Sequence, residues 1–228
     1  AAHPARALRR ADEVAGVVVE VGEGVTDWSV GARVGVCPTT RAGAPGYGYD
    51  GGFADKILVD QITLVAIPDN VPFALGAAGT DAGMTSHHAV MAKGRVVPGT
   101  RLGIIGLGGL GQIGARVGVL AGAEVYAAEL NEEVWDLADE LGVTGIARSI
   151  RDFADKQLDV IVDFAGFGTT TAEAIETVRF GGRVVQVGMG KLEATISTRD
   201  LIIKECELVG SMGGTSDDVA GVYELFAS

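Results

Sequence analysis

The chain has 228 residues, 47% of them hydrophobic, which is ample for a packed core in one large or two modest domains. Acidic residues number 30 against 18 basic ones, and the formal net charge of −12 repels nucleic acid and acidic membrane surfaces, with no basic cluster to offset it. The two cysteines, Cys37 and Cys206, form no C-x-x-C pair, so a disulfide framework and a cysteine zinc cluster are excluded; both read as small core residues.

No apolar run approaches the roughly 18 residues that a membrane span needs. Residues 1–11 hold Arg6, Arg9 and Arg10 with no apolar stretch behind them, unlike a signal peptide. The expected setting is cytoplasmic, with no membrane or nucleic-acid partner; small molecules and further copies of the chain are the expected partners.

To about residue 75 the pattern is that of short strands. Val14-Ala-Gly-Val-Val-Val-Glu-Val21 is β-branched, Gly22-Glu-Gly24 is a turn, and Gly31 to Cys37 resumes a strand. Phe53 to Val59 and Thr63 to Ile67 are further strand candidates, and Pro38 to Gly52, rich in Gly, Pro and Thr, reads as a loop. From Phe73 to about Lys93 small and apolar residues predict helix.

After Pro98-Gly99 strands and helices alternate. Leu102 to Ile105 predicts a buried strand, followed by a helix carrying Leu110, Ile113, Val117 and Leu120 on one face. A strand over 124–129 follows, then a helix capped by Asn131 and ended by Gly142. Leu158 to Phe164 is nearly all apolar, as in a strand covered on both faces. Helix over 170–179, strand over 183–187, helix over 197–204, strand over 208–212 and helix over 216–227 complete a pattern that specifies a doubly wound parallel sheet. Domains are expected over 1–80, β-rich, and 81–228, dinucleotide-binding.

The segment Arg101-Leu-Gly-Ile-Ile-Gly-Leu-Gly-Gly-Leu-Gly111 carries the chemistry. Gly106, Gly108 and Gly111 have G-x-G-x-x-G spacing between a strand and a helix. The first allows a tight turn, the second lets the backbone approach a pyrophosphate, and the third lets helix and sheet pack closely. Leu107, Gly109 and Leu110 complete the loop, and the helix start favours an anion. An acid at the end of the next strand, roughly 20 residues on, is needed for the ribose hydroxyls. Glu129 stands there, and because an acid repels a 2′-phosphate, NAD is the expected cofactor.

Asp12-Glu-Val-Ala-Gly-Val-Val-Val-Glu-Val-Gly-Glu-Gly-Val25, Val30-Gly-Ala-Arg-Val-Gly35, Asp50-Gly-Gly-Phe-Ala54, Ile67-Pro68, Thr80-Asp-Ala-Gly-Met-Thr85 and the Gly106 to Gly111 loop resemble, in order, the successive motifs of the medium-chain dehydrogenase/reductases, most closely the zinc-dependent alcohol dehydrogenase branch. The resemblance implies an α/β chain in which a partial GroES-like β-rich catalytic domain precedes the Rossmann sheet. It implies hydride transfer between an alcohol, or its carbonyl product, and NAD, with a zinc ion on the substrate oxygen. It puts Thr85 beside the nicotinamide, the backbone of Val187, Gly188 and Met189 on its carboxamide, and Ala165 and Gly166 against the cofactor. A homodimer joined along the strand over 208–212, sometimes doubled to a tetramer, is implied as well.

Several positions depart from the pattern. Asp12-Glu13 stands where the zinc branch has His-Glu, and Asp81 occupies a Cys-or-Asp ligand position. Asp12, Glu13 and Asp81 make a hard oxygen set, poorer for zinc than nitrogen and sulfur, so a weak or empty metal site is expected. The four-cysteine structural zinc lobe is absent: Pro38-Thr-Thr40 abuts Arg41-Ala-Gly43 as if roughly 20 residues were missing. The chain is therefore expected to be incomplete. His87 and His88, about 100° apart on a helix, do not aim at one site and read as structural, and His3 lies in a terminal segment. Asp217 and Asp218 read as first-turn charge on a helix dipole. A zinc-free quinone or enoyl reductase of the same superfamily and a catalytically impaired dinucleotide-binding module are the alternatives. The substrate is not legible.

Overall fold

The computed structural model describes residues 10–41 and 43–228; Arg6, Arg9 and His3 of the sequence reading lie outside the described residues. The chain forms two compact units. One runs to Met84 and takes in Gly213–Ser228, and the other is Thr85–Met212. The sequence division lay at 80/81, with everything to 228 in the second domain.

In the first unit, strands β1 (Ala15–Val17), β2 (Arg33–Val36) and β3 (Leu64–Ala66) form an antiparallel sheet in that order. Gly16 pairs with Val34, and Gly35 with Val65. Of the expected strand over 14–21, Ala15–Val17 form the strand, and Val14 and Val18 extend its pairing by backbone bonds to Val36 and Ala32. Phe53 to Val59 forms no strand: Phe53 is 75% and Leu58 93% exposed, only Ile57 and Val59 are half-buried, and no neighbouring strand pairs with it among the described residues.

Helix α1 (Phe73–Ala78) opens the expected helical stretch, which continues as a π-type segment over Gly79–Gly83, helix α2 (Met84–His87) and a second π-type segment over His88–Lys93. Small residues here serve packing. A Cβ on Gly79 would meet the Tyr223 ring at 2.6 Å, and one on Gly83 would meet Val222 at 2.8 Å. Helix α7 (Ser216–Ala227) thus lies close, and the buried Tyr223 hydroxyl donates to Gly76 O at 2.7 Å. Burial, then Cys37, pushes that phenol well above its ordinary pKa. Cys37, Ile67, Val71, Met84, Val219 and Tyr223 form the core. The sequence reads 216–227 as a helix; its partner is set by the small-residue surface at Gly79 and Gly83. Asp218 joins Thr215 in a capping box, so one acid of the Asp217–Asp218 pair has a specific bond as well as a favourable dipole.

The second unit is a six-stranded parallel sheet ordered β6-β5-β4-β7-β8-β9. Its strands are β4 (Arg101–Ile105), β5 (Glu124–Ala128), β6 (Gly145–Ala147), β7 (Val160–Asp163), β8 (Arg183–Gln186) and β9 (Glu207–Gly210). Helices α3 (Gly109–Leu120), α4 (Trp135–Leu141), α5 (Thr169–Thr177) and α6 (Thr198–Lys204) alternate with them. Leu102, Ile104, Val125, Ile161, Val162, Val184 and Val185 are fully buried, which is why these strands read as nearly continuous apolar runs. The sequence reading missed β6, three residues too short for a period, and a tight helical turn over Ile150–Lys156 that Ser149 and Asp152 cap.

Polar groups close the sheet's other end. Asp159 accepts from Arg101 N at 2.8 Å and pairs with Arg101 and Arg179. Burial acts to raise its pKa, but these bonds outweigh it and hold the carboxyl below its ordinary value. The Lys204 ammonium bonds the last carbonyls of α5, Ile175, Glu176 and Val178. Cys206 packs half-buried against the second unit's own core, with Ile161, Ile175 and Val184, its thiol pKa raised by burial. Among the described residues, no helix is long and apolar enough to cross a membrane.

Candidate functional site

The order β6-β5-β4-β7 reverses direction between β4 and β7, and ligands of open α/β sheets collect at the carboxyl ends of the strands there. Gly106 leaves β4 at φ +87°, a left-handed conformation that favours glycine, and its N–H donates to Ala128 O at 2.8 Å. A Cβ on Gly111 would stand 1.7 Å from Gly106 O, so the first turn of α3 rests directly on the glycine turn. A Cβ on Gly108 would meet nothing within 4 Å: that backbone faces open space. No side chain caps α3 at Gly108, so its first N–H groups keep their capacity for an anion. Leu107 is buried, and its carbonyl takes a bond from Gln112 Nε2 at 2.9 Å.

Glu129 follows β5 beside this turn. Its Oε2 accepts from Leu107 N and its Oε1 from Asn131 N, both at 2.8 Å, while its carbonyl accepts from Trp135 Nε1 at 3.1 Å. The acid is thus locked against the glycine turn. A cleft of 630 Å³ opens over it, with Gly106, Gly108, Glu129, Arg148, Ala165 and Thr170 among its walls. Sequence reasoning missed Arg148, Ser149, Thr170 and Glu173 in this wall, because Arg148 and Ser149 follow the unrecognised β6 and the other two lie on α5 with no motif to mark them.

The turns after β7 and β8 interlock. Gly166 has φ +65°, and a Cβ there would be 2.0 Å from Gly188 O; a Cβ on Gly188 would be 2.4 Å from Phe164 O. Lys191 N donates to Gly166 O at 2.7 Å. Ala165 in turn abuts the first glycine, 3.3 Å from where a Gly106 Cβ would be. Gly106, Ala165, Gly166 and Gly188 therefore form one contiguous edge, with Val187 half-buried and Met189 exposed beside it. Thr85 is buried, and the adjacent Ser86 hydroxyl donates to Leu110 O at 2.8 Å, tying this helix to the glycine loop.

The carboxylates belong to the first unit. Glu13 Oε1 accepts from Ala82 N at 3.4 Å, which brings Glu13 beside Asp81 in the π-type segment. Val14 N donates to Thr80 Oγ1, docking the start of β1 on the same segment. Asp12 is half-buried. Among the described residues, no three His, Cys, Asp or Glu side chains converge to hold a metal ion. The oxygen-only donors Asp12, Glu13 and Asp81 are a poorer fit to zinc than nitrogen and sulfur ligands.

A model of the zinc-binding dehydrogenases matches residues 109–228, and one of the alcohol dehydrogenase GroES-like domain matches residues 3–69. The fold is similar to acetophenone reductase from Geotrichum candidum, solved in complex with NAD, with a TM-score of 0.84 and 30% identity over 95% of this chain and 70% of that one. It is similar to the alcohol dehydrogenase of Aeropyrum pernix, with a TM-score of 0.83, 27% identity, and coverage of 96% and 72%. It also resembles 2R,3R-butanediol dehydrogenase from Bacillus subtilis, with a TM-score of 0.85, 27% identity, and coverage of 96% and 69%. With a GroES-like N-terminal part and a doubly wound sheet that both match, the chain belongs to the medium-chain dehydrogenase/reductase family, among its alcohol dehydrogenase-type oxidoreductases.

Proposed function

We propose that this protein transfers a hydride between a small alcohol, or its carbonyl product, and NAD. The observation that carries the reading is Glu129, a carboxylate held against the glycine turn where ribose hydroxyls would arrive. The backbone at Gly108 and the uncapped start of α3 would take the pyrophosphate. Val187, Gly188 and Met189 would take the carboxamide with main-chain groups, Ala165 and Gly166 would flank the ring, and Thr85 would stand beside it. The acetophenone reductase was solved with NAD, which supports the same cofactor class here.

In the zinc branch the metal, when bound, polarises the substrate oxygen and stabilises the alkoxide. Asp81, Glu13 and Asp12 are the candidate ligands in this chain. Their oxygen-only character favours weak binding or none. That same feature supports, as a second reading, a zinc-free reductase of the family; the acid at 129 weighs against the 2′-phosphate cofactor that such reductases generally take. Titration of NADH and NADPH by fluorescence, with metal analysis and an alcohol-oxidation assay on one preparation, distinguishes them. NADH should bind more tightly. Tighter NADPH binding sinks the reading, and full zinc occupancy with Asp12 as a ligand would overturn the weak-metal proposal.

The chain should also self-associate through β9. This strand lies at the sheet edge, with Leu208 exposed and Ile202 and Ile203 exposed on the preceding α6. Unpaired backbone groups there are satisfied if the same strand of a second copy continues the sheet about a two-fold axis. Analytical ultracentrifugation should find a dimer, or a dimer of dimers, at micromolar concentration, and Leu208→Lys should shift it toward monomer. A wild-type monomer at that concentration rules the proposal out.

A further inference from the structure

At the carboxyl end of β7 a carboxylate is sealed from solvent. Asp163 is 0% exposed, and none of its hydrogen-bond partners is basic. Its Oδ1 accepts from Ala165 N at 3.1 Å and Gly166 N at 2.8 Å. Its Oδ2 faces the hydroxyls of Thr170 at 2.8 Å and Thr171 at 3.0 Å. Thr171 Oγ1 also lies 2.8 Å from Gln186 Oε1, so its one hydrogen is shared between that oxygen and Asp163 Oδ2, and Gln186 Nε2 donates to Gly188 O at 2.7 Å. From its main chain, Asp163 O accepts from Val187 N at 3.1 Å and Gly188 N at 2.9 Å. One residue thereby holds the turn after β7 with its side chain, and the turn after β8 both directly and through Thr171 and Gln186.

Strand pairing does not require this group, since the neighbouring Val160, Ile161 and Val162 are buried without any polar side chain. Burying a charge is costly unless it is fully hydrogen-bonded, so a sealed carboxylate with three donors of its own, Ala165 N, Gly166 N and the Thr170 hydroxyl, and a share in the Thr171 hydroxyl is a device for fixing geometry. Its effect on the site edge is specific. The amides of Ala165, Gly166, Val187 and Gly188 all point their bonds inward, to Asp163. Val187 O and Met189 N make no hydrogen bond among the described residues, leaving one acceptor and one donor, the pair that a primary carboxamide needs.

We infer that Asp163 is a positioning residue for the nicotinamide end of the cofactor, setting the backbone of both turns through Thr171 and Gln186 and leaving the adenosine end untouched. The inference rests on the NAD reading above. Asp163→Asn keeps the size of the side chain and one acceptor for the two amides, but it sets an NH₂ group against the two hydroxyls. Thr171→Val keeps the carboxylate and removes the connection to Gln186.

The test compares NADH with ADP-ribose, which lacks the nicotinamide, by titration against the wild type and both variants, with circular dichroism to confirm folding. Asp163→Asn should weaken NADH about tenfold, the loss of one net hydrogen bond, while ADP-ribose stays within about twofold of wild type. Thr171→Val should give a smaller loss with the same selectivity, and it carries the test alone if Asp163→Asn fails to fold. Equal losses for both ligands, or no loss for either, overturn the positioning role while the NAD reading stands. Failure of the wild type to bind either ligand overturns the NAD reading and this inference with it.

Discussion

Gly111→Ala is expected to abolish cofactor binding and to destabilise the second unit by about 2 kcal/mol or more, the scale of overpacking a tight contact. The added methyl would stand 1.7 Å from Gly106 O and 2.8 Å from Gly106 C. Both are backbone atoms on a turn that Gly106 N already anchors to Ala128 O, so no side chain can swing aside. The start of α3 has to lift off the turn, and the N–H groups that would face a pyrophosphate move with it. Gly108→Ala separates binding from folding. Its Cβ meets no atom within 4 Å, and Gly108 sits at φ −69°, which any residue adopts. Stability should stay within about 0.5 kcal/mol of wild type. NADH affinity should nevertheless fall at least about tenfold, because the methyl occupies the line along which a pyrophosphate approaches the backbone. Urea unfolding and NADH fluorescence titration on the two variants check both statements. NADH binding by Gly111→Ala at wild-type strength would refute the packing argument.

Glu129→Ala should lower NADH affinity by at least about 100-fold and reverse the preference toward NADPH. Hydrogen bonds to a charged group contribute about 1.5–3 kcal/mol each, and a carboxylate at a ribose accepts two of them. The same carboxylate now holds Leu107 N and Asn131 N, so its removal also frees the glycine turn and the start of the following segment. Loss of the negative charge lifts its repulsion of a 2′-phosphate, and Arg148 on the cleft wall, ion-paired with Glu132 at 2.5 Å, is a cation for which a 2′-phosphate would compete. Raising the salt concentration should weaken NADPH binding to the variant more than NADH binding, since only the former gains charge attraction. Unchanged NADH affinity in Glu129→Ala would mean that the ribose does not sit at this acid.

The glycine turn was legible because each of its glycines answers a local constraint: a left-handed φ at Gly106, open backbone at Gly108 and contact with a carbonyl at Gly111. Strands β4, β7 and β8 were legible because burial on both faces leaves an apolar run in the sequence. Strand β6 was not, since three residues cannot display a period, and with it went Arg148 and Ser149 on the cleft wall. Phe53 to Val59 carries strand composition without a partner strand among the described residues, and composition is indifferent to partners.

Local order, from strand to turn to helix, is written in neighbouring residues, and for that reason the sequence by itself determined the doubly wound class, the glycine turn and the acid that follows it. Contacts between distant residues are not written that way. Only the tertiary structure decided that α7 returns to the first unit through Tyr223 and Gly76, that Glu13 comes beside Asp81 through Ala82, and that Asp163 reaches Gly188 through Thr171 and Gln186. Each joins groups that are apart along the chain and that only the packing of whole elements brings together. A buried carboxylate looks like any other Asp until its surroundings are known, because its cost and its use both depend on what closes over it.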